Sequence, residues 1–216
     1  DTLGSRATAM GHEALVAQNF TTATNSYNVA VGYQAGHDIS TGTLNTLIGS
    51  LAGDVLTDAD NNVAIGYSAL GSDTMGSRAT AVGYAALGVQ NFTTATNGYN
   101  VGVGTSAGGA VTTGINNTIV GGLAGDALTD ADYNTAVGMA ALSTDTLGSR
   151  STAIGYAALN NQAYTTATDS HNVAVGNNAG AAVTTGIRNV LLGSTAGDAL
   201  TDADYNVAVG MGALTR

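Results

Sequence analysis

Cysteine, proline, tryptophan and lysine are all missing from this chain of 216 residues. Without cysteine there is no disulfide framework, thiolate nucleophile or cysteine-based zinc site. Without lysine, no phosphate loop of the Walker type can be built. Charge is scarce too: charged residues are 9% of the chain, and fifteen acidic residues face five arginines, for a net charge of -10. So acidic a chain, with no basic patch, argues against nucleic acid or an anionic membrane surface as partner. No apolar run approaches the roughly 20 residues that cross a bilayer. The first residues also lack a basic segment followed by an apolar one. This segment is therefore expected not to insert into a membrane, and any export signal or anchor is expected outside it.

What the chain has is repetition. Asp1, Asp73 and Asp145 open three equal blocks, 1–72, 73–144 and 145–216, that align without insertion or deletion. Within each block a shorter phrase recurs, Asn-x-Ala-Val/Ile-Gly-x-x-Ala. Its glycines run from Gly11, Gly32, Gly49, Gly66 and Gly83 through to Gly210, one longer interval followed by three shorter equal ones in every block. Alanine stands three positions after every one of them, as at Ala14, Ala35, Ala52 and Ala69. Self-similarity at such a period marks a solenoid, in which each unit buries its apolar side against the next. The spacing predicts one continuous stack of twelve coils, 1–216, treated as a single repeat domain.

Before each glycine the pattern has a period of two. Val29 and Val31 point one way and Asn28 and Ala30 the other, as alternate strand residues must. Asparagine holds the fourth position before the glycine in nine coils, among them Asn28, Asn45 and Asn62. At about 4.8 Å per layer these asparagines can form a hydrogen-bonded ladder, the alternative being solvated turn residues. The residue after the alanine alternates as Leu15, Gly36, Gly53, Leu70, which predicts two faces or loop types. Coils this short are expected to bury little apolar surface alone, so several chains should associate.

Phrases such as NVAVGYQAG at 28–36 and NVAIGYSAL at 62–70 resemble the head repeats of the YadA-like trimeric autotransporter adhesins. Similar repeats occur in phage tail fibres. The resemblance spans all twelve coils, although that family's coils are shorter than these. It implies a left-handed parallel β-roll, assembled as a homotrimer, in an extracellular, cell-surface or virion fibre. A host-surface protein or glycan is the implied ligand.

Chemistry is sparse. His12, His37 and His171 fall out of phase with the repeat, and the single glutamate, Glu13, has Ala85 and Ala157 as equivalents. No repeated catalytic role is expected, so the chain is read as non-enzymatic. A polysaccharide-degrading fibre would need a pair built from aspartates. Two groups remain as candidate sites. Asp58, Asp60 and Asn62, with Asp130, Asp132, Asn134 and Asp202, Asp204, Asn206, place oxygens at alternate positions, which suits calcium as a cofactor. The alternative is a solvated acidic loop in which Asp or Thr caps a turn. The longest loops carry Phe20, Thr22 and Thr24, Phe92, Thr94 and Thr96, and Tyr164, Thr166 and Thr168. A ring beside hydroxyls could stack on a sugar, with repetition supplying avidity. Alternatively the extra residues widen the coil and pack the ring against a neighbouring chain. Arg6, Arg78 and Arg150 are expected to form surface ion pairs near the acidic loops.

Overall fold

The computed structural model describes residues 3–215, and it divides into two units, Asp1–Thr105 and Ser106–Arg216. Both are all-β, and no helix occurs among the described residues. The chain is a β-solenoid of twelve coils, each contributing one three-residue strand. In the first unit these strands are Thr8–Met10, Val29–Val31, Thr46–Ile48, Val63–Ile65, Thr80–Val82 and Val101–Val103. They pair in parallel and in chain order, with Thr8 opposite Val29, Val29 opposite Thr46, and so on to Thr80 opposite Val101. In the second unit Thr118–Val120, Thr135–Val137, Thr152–Ile154, Val173–Val175, Val190–Leu192 and Val207–Val209 pair in the same way. Two-residue strands pair beside the long loops: Gly4–Ser5 with Thr24–Asn25, Gly76–Ser77 with Thr96–Asn97, and Gly148–Ser149 with Thr168–Asp169.

Coils this short must turn sharply, and the backbone does so through the left-handed region. Positive φ recurs at corner residues other than glycine, including Gln34 (φ 53°), Leu70 (φ 51°) and Arg78 (φ 64°). Each costs roughly 1 kcal/mol relative to ordinary backbone. That conformation aims the N–H groups of a corner along the stacking direction. Gln34 N–H donates to the His12 carbonyl of one neighbouring coil and Gly36 N–H to the Ala52 carbonyl of the other. Corner peptides thus pair between coils as those of the strands do. The phrase glycine is demanded by a close approach: at Gly83, with φ 135°, an added Cβ would lie 2.5 Å from the Gly104 carbonyl oxygen.

The interior is filled by the single chain, contrary to the expectation that short coils bury little. Leu47, Leu56, Leu70 and Leu87 are fully buried, as are Leu128, Leu142, Leu159 and Leu191 in the second unit. The Leu/Gly rhythm after the alanine is an exchange of interior volume, not a change of loop type. Where the strand carries Leu47, the corners beside it are Gly36 and Gly53, and a Cβ on Gly36 would sit 2.7 Å from the Leu47 Cδ1. Where the strand carries Ala64 or Ala81, the corner supplies Leu70 or Leu87 instead.

The asparagines are interior and form the ladder. Asn45 N–H donates to the Asn28 Oδ1, Asn62 N–H to the Asn45 Oδ1 and Ala79 N–H to the Asn62 Oδ1, each at 2.9 Å. The amide nitrogen reaches across its own coil: Asn45 Nδ2 donates to the Ala59 carbonyl at 2.7 Å and Asn62 Nδ2 to the Gly76 carbonyl at 2.8 Å. One side chain closes its own coil and clasps the next. Asn134, Asn189 and Asn206 continue the ladder in the second unit.

Candidate functional site

Of the residues singled out in the long loops, the rings are not available to a ligand. Phe20, Phe92 and Tyr164 are buried inside the solenoid, each 5% exposed. A Cβ added at Gly148 would lie 2.6 Å from the Tyr164 ring, so the longer coil closes around its own ring rather than pressing it onto another chain. Burial pushes the Tyr164 phenol up to about 12, with the Asp145 carboxylate adding to the effect. Its hydroxyl donates to the Gly186 carbonyl at 2.7 Å. Of the threonines, Thr24, Thr96 and Thr168 donate to the carbonyls of Thr22, Thr94 and Thr166 within their own loops. Thr22, Thr94 and Thr166 are exposed.

The members of the aspartate sets divide between interior and surface. Asn62 and Asn134 face inward as rungs of the ladder, while Asp58 and Asp130 are exposed. Asp60 Oδ1 accepts from the Thr43 N–H at 2.7 Å and the Thr43 hydroxyl at 2.9 Å. Asp132 and Asp204 accept from the N–H groups of Ile115 and Ile187. Asp58 and Asp130 accept from the hydroxyls of Thr41 and Thr113. Asp202 accepts from Thr201, and Asn206 continues the ladder. Most of these groups are staples to the preceding coil. Among the described residues no three acidic or histidine side chains gather in a group that could hold a metal ion.

Sequence reasoning missed a buried polar junction. Asp73, fully buried, accepts from Gly76 N–H at 3.0 Å, Phe92 N–H at 3.0 Å and Gln90 Nε2 at 2.6 Å. Gln90 in turn accepts from Asn100. Asp145, Gln162 and Asn172 repeat the arrangement. Desolvation pushes the Asp73 carboxyl above the ordinary aspartate value, against the opposing pull of its hydrogen bonds. A non-repeating cluster joins His12, Glu13, Gln34, His37 and Asp38: Glu13 Oε2 lies 2.7 Å from Gln34 Nε2 and 3.9 Å from His37 Nε2, and His37 Nδ1 lies 2.6 Å from Asp38.

Two surface features remain. On the outer face of the main sheet the residues flanking each inward side chain are apolar or threonine, as at Val29, Val31, Val63, Ile65 and Val82. Beside this face in the first unit stand half-exposed rings, with His12 stacked on Tyr33 and Tyr67 on Tyr84 at 5.5 Å. The corner five positions before the phrase glycine carries exposed arginines and tyrosines in eight of the twelve coils, with Leu44, Asn61, Asn116 and His171 in the others. The expected surface ion pairs are mostly replaced there by ring contacts. Arg6 lies over Tyr27 at 5.5 Å, Arg78 over Tyr99 at 5.7 Å, Arg150 over Tyr133 at 4.9 Å and Arg188 over Tyr205 at 5.3 Å. Only Arg150 also pairs with an acid among the described residues, Asp169 at 3.0 Å.

Compared with protein-family models, curated proteins and solved structures, the chain matches none.

Proposed function

We propose that this chain is a structural and adhesive segment of an extracellular fibre, non-enzymatic, held together by self-association into a homotrimer and presenting its repeated outer edges to a host-surface protein or a glycan. The observation that carries the reading is the apolar outer sheet face. The core is complete without it, so Val29, Val31, Val63, Ile65 and their equivalents have no packing role in the interior. An ordered row of β-branched residues repeating at about 4.8 Å matches best another copy of the same row. A standard interface removes about 800 Å² from each partner, a small share of the 8868 Å² of accessible surface. A phage tail-fibre shaft satisfies the same observations. The aspartate-based hydrolase is not favoured, because Asp58, Asp60, Asp130, Asp132 and Asp204 each commit an oxygen to the preceding coil.

The test is native mass by sedimentation for the parent and for Val63→Lys and Val82→Lys. A trimer that falls to monomer in both variants, with unchanged circular dichroism, supports the reading. A parent that stays monomeric at tens of micromolar refutes it. A trimer indifferent to both lysines refutes the assignment of the face.

A further inference from the structure

The arginine column is placed against backbone preference. Arg150 and Arg188 sit at φ 63° and 56°, and their column neighbours Tyr133, His171 and Tyr205 at 59°, 51° and 59°. A left-handed corner favours Gly or Asn, and the chain uses Asn61, Asn116 and Leu44 at this same corner in other coils. Positive φ is common at the corners of this chain, so what sets these coils apart is the Arg, Tyr and His chemistry they expose. In the second unit Tyr133, Arg150, His171, Arg188 and Tyr205 follow one another on consecutive coils, all exposed.

Fifteen acidic residues offer many ion-pair partners, yet Arg188 donates to the Tyr205 hydroxyl instead, while the adjacent Asp204 turns its Oδ1 to the Ile187 N–H. In the first unit Arg6 donates to the Tyr27 hydroxyl and Arg78 to the Asn97 side chain. A guanidinium carries five N–H donors, so a ring contact and a single hydrogen-bond or ion-pair partner leave others available to a ligand.

We propose that this edge binds an extended acidic polysaccharide, with Arg150 and Arg188 taking carboxylates two sugars apart and Tyr133, His171 and Tyr205 offering ring surface and hydroxyls to the sugars between. The proposal rests on the adhesive reading above and names its ligand class. An Arg fork matches a carboxylate in bidentate fashion. Two coils separate the arginines by about 10 Å, close to the length of one extended disaccharide. Single contacts of this kind are weak, and a regular strip multiplies them. Nucleic acid fits poorly, since a strand carries a phosphate about every 3.4 Å, a far denser charge than one arginine in every two coils can match.

The test is affinity electrophoresis of the full chain in gels containing hyaluronan, whose carboxylates recur on every second sugar, with dextran and inorganic polyphosphate as comparison gels. Hyaluronan should retard the parent in a salt-sensitive way and dextran should not. Arg150→Asn and Arg188→Asn, chosen because asparagine already serves this corner, should each weaken retardation about fivefold, and the double variant should abolish it. Asp169→Asn, which frees Arg150, should strengthen it. No retardation of the parent, equal retardation by dextran or by polyphosphate, or an unaffected double variant would each overturn the proposal. Native mass reads the fibre proposal separately: a trimer that ignores hyaluronan sinks only the glycan strip, and a monomer that binds it sinks only the trimer.

Discussion

Replacing Asn62 with alanine should be among the most damaging single changes available to a polar residue of this chain. The side chain is fully buried. Its removal strips the Ala79 N–H of its acceptor and the Gly76 carbonyl of its donor, buried bonds of 2.9 and 2.8 Å. Each orphaned buried group costs about 1–3 kcal/mol, so a loss of about 3 kcal/mol is expected, enough to matter against the 5–15 kcal/mol typical of a domain. Urea denaturation gives the total. Native-state hydrogen exchange locates it, because the Ala79 amide should lose protection while strand amides several coils away keep theirs. The neighbouring Asn61→Gly is the control: Asn61 is exposed at φ 60°, where glycine is at ease, and the change should stay within about 0.5 kcal/mol. Asn62→Asp sharpens the argument. The carboxylate can still accept from Ala79, but its second oxygen would face the Gly76 carbonyl, acceptor against acceptor, until acid supplies a proton to donate. The folded state would therefore hold that proton more tightly than the unfolded chain, and the variant should regain stability on acidification. An Asn62→Ala cost under about 1 kcal/mol, with the Ala79 amide still protected, would refute the ladder as a source of stability.

Three further outcomes are expected. Gly83→Ala, which places a Cβ 2.5 Å from the Gly104 oxygen at φ 135°, should cost at least about 3 kcal/mol in urea denaturation; a smaller cost would mean that the coils can slide apart cheaply. Gly36→Ala and Leu47→Ala should be non-additive, the double variant being less damaged than the sum by about 1 kcal/mol, because the added methyl occupies space that Leu47 vacates; strict additivity would deny the volume exchange. Burial holds the carboxyls of Asp54, Asp73 and Asp126 above the usual value of 3.8. Protons thus bind the folded chain more tightly at these sites, and their contribution is fully present below pH 3.8 and lost as pH rises through the raised folded values. The urea midpoint should climb as pH falls from neutrality toward about 4, and Asp73→Asn should flatten part of that climb; a midpoint falling over that window would contradict it.

The coil itself was legible because its causes are local and repeated. Glycine at Gly11, Gly32 and Gly49 is forced by one close approach made again layer after layer, and the alternation of Asn28, Val29, Ala30 and Val31 follows from the period of a strand. The outward face of Val29 and Val31 could be read in the same way. What escaped was the interior beyond the strand. Past the alanine the left-handed corners break the period of two, so no alternation tells which residue turns inward. Phe20, set among threonines in a polar loop, reads as surface until the coil is seen to close around it.

Asp73 and Gln90 were hidden for a different reason, and they left a readable trace. Seven positions after the phrase glycine, successive coils carry Gln18, Ile39, Leu56, Asp73, Gln90, Val111, Leu128, Asp145 and Gln162. A column of Ile, Leu and Val interrupted twice by Asp followed directly by Gln implies an inward position where the pair satisfies itself across one coil boundary. A buried carboxylate without a cation is tolerated only when several donors surround it, and those come from Gly76, Gln90 and Phe92, residues separated from Asp73 by up to 19 positions in sequence. Reading down the columns, rather than along the chain, is what places them together. The corner column of Arg150 and Arg188 differs from this interior column: its side chains meet Asp169, Tyr133 and Tyr205 at the surface, where they stay exposed, whereas Asp73 is enclosed by donors from its own and the next coil.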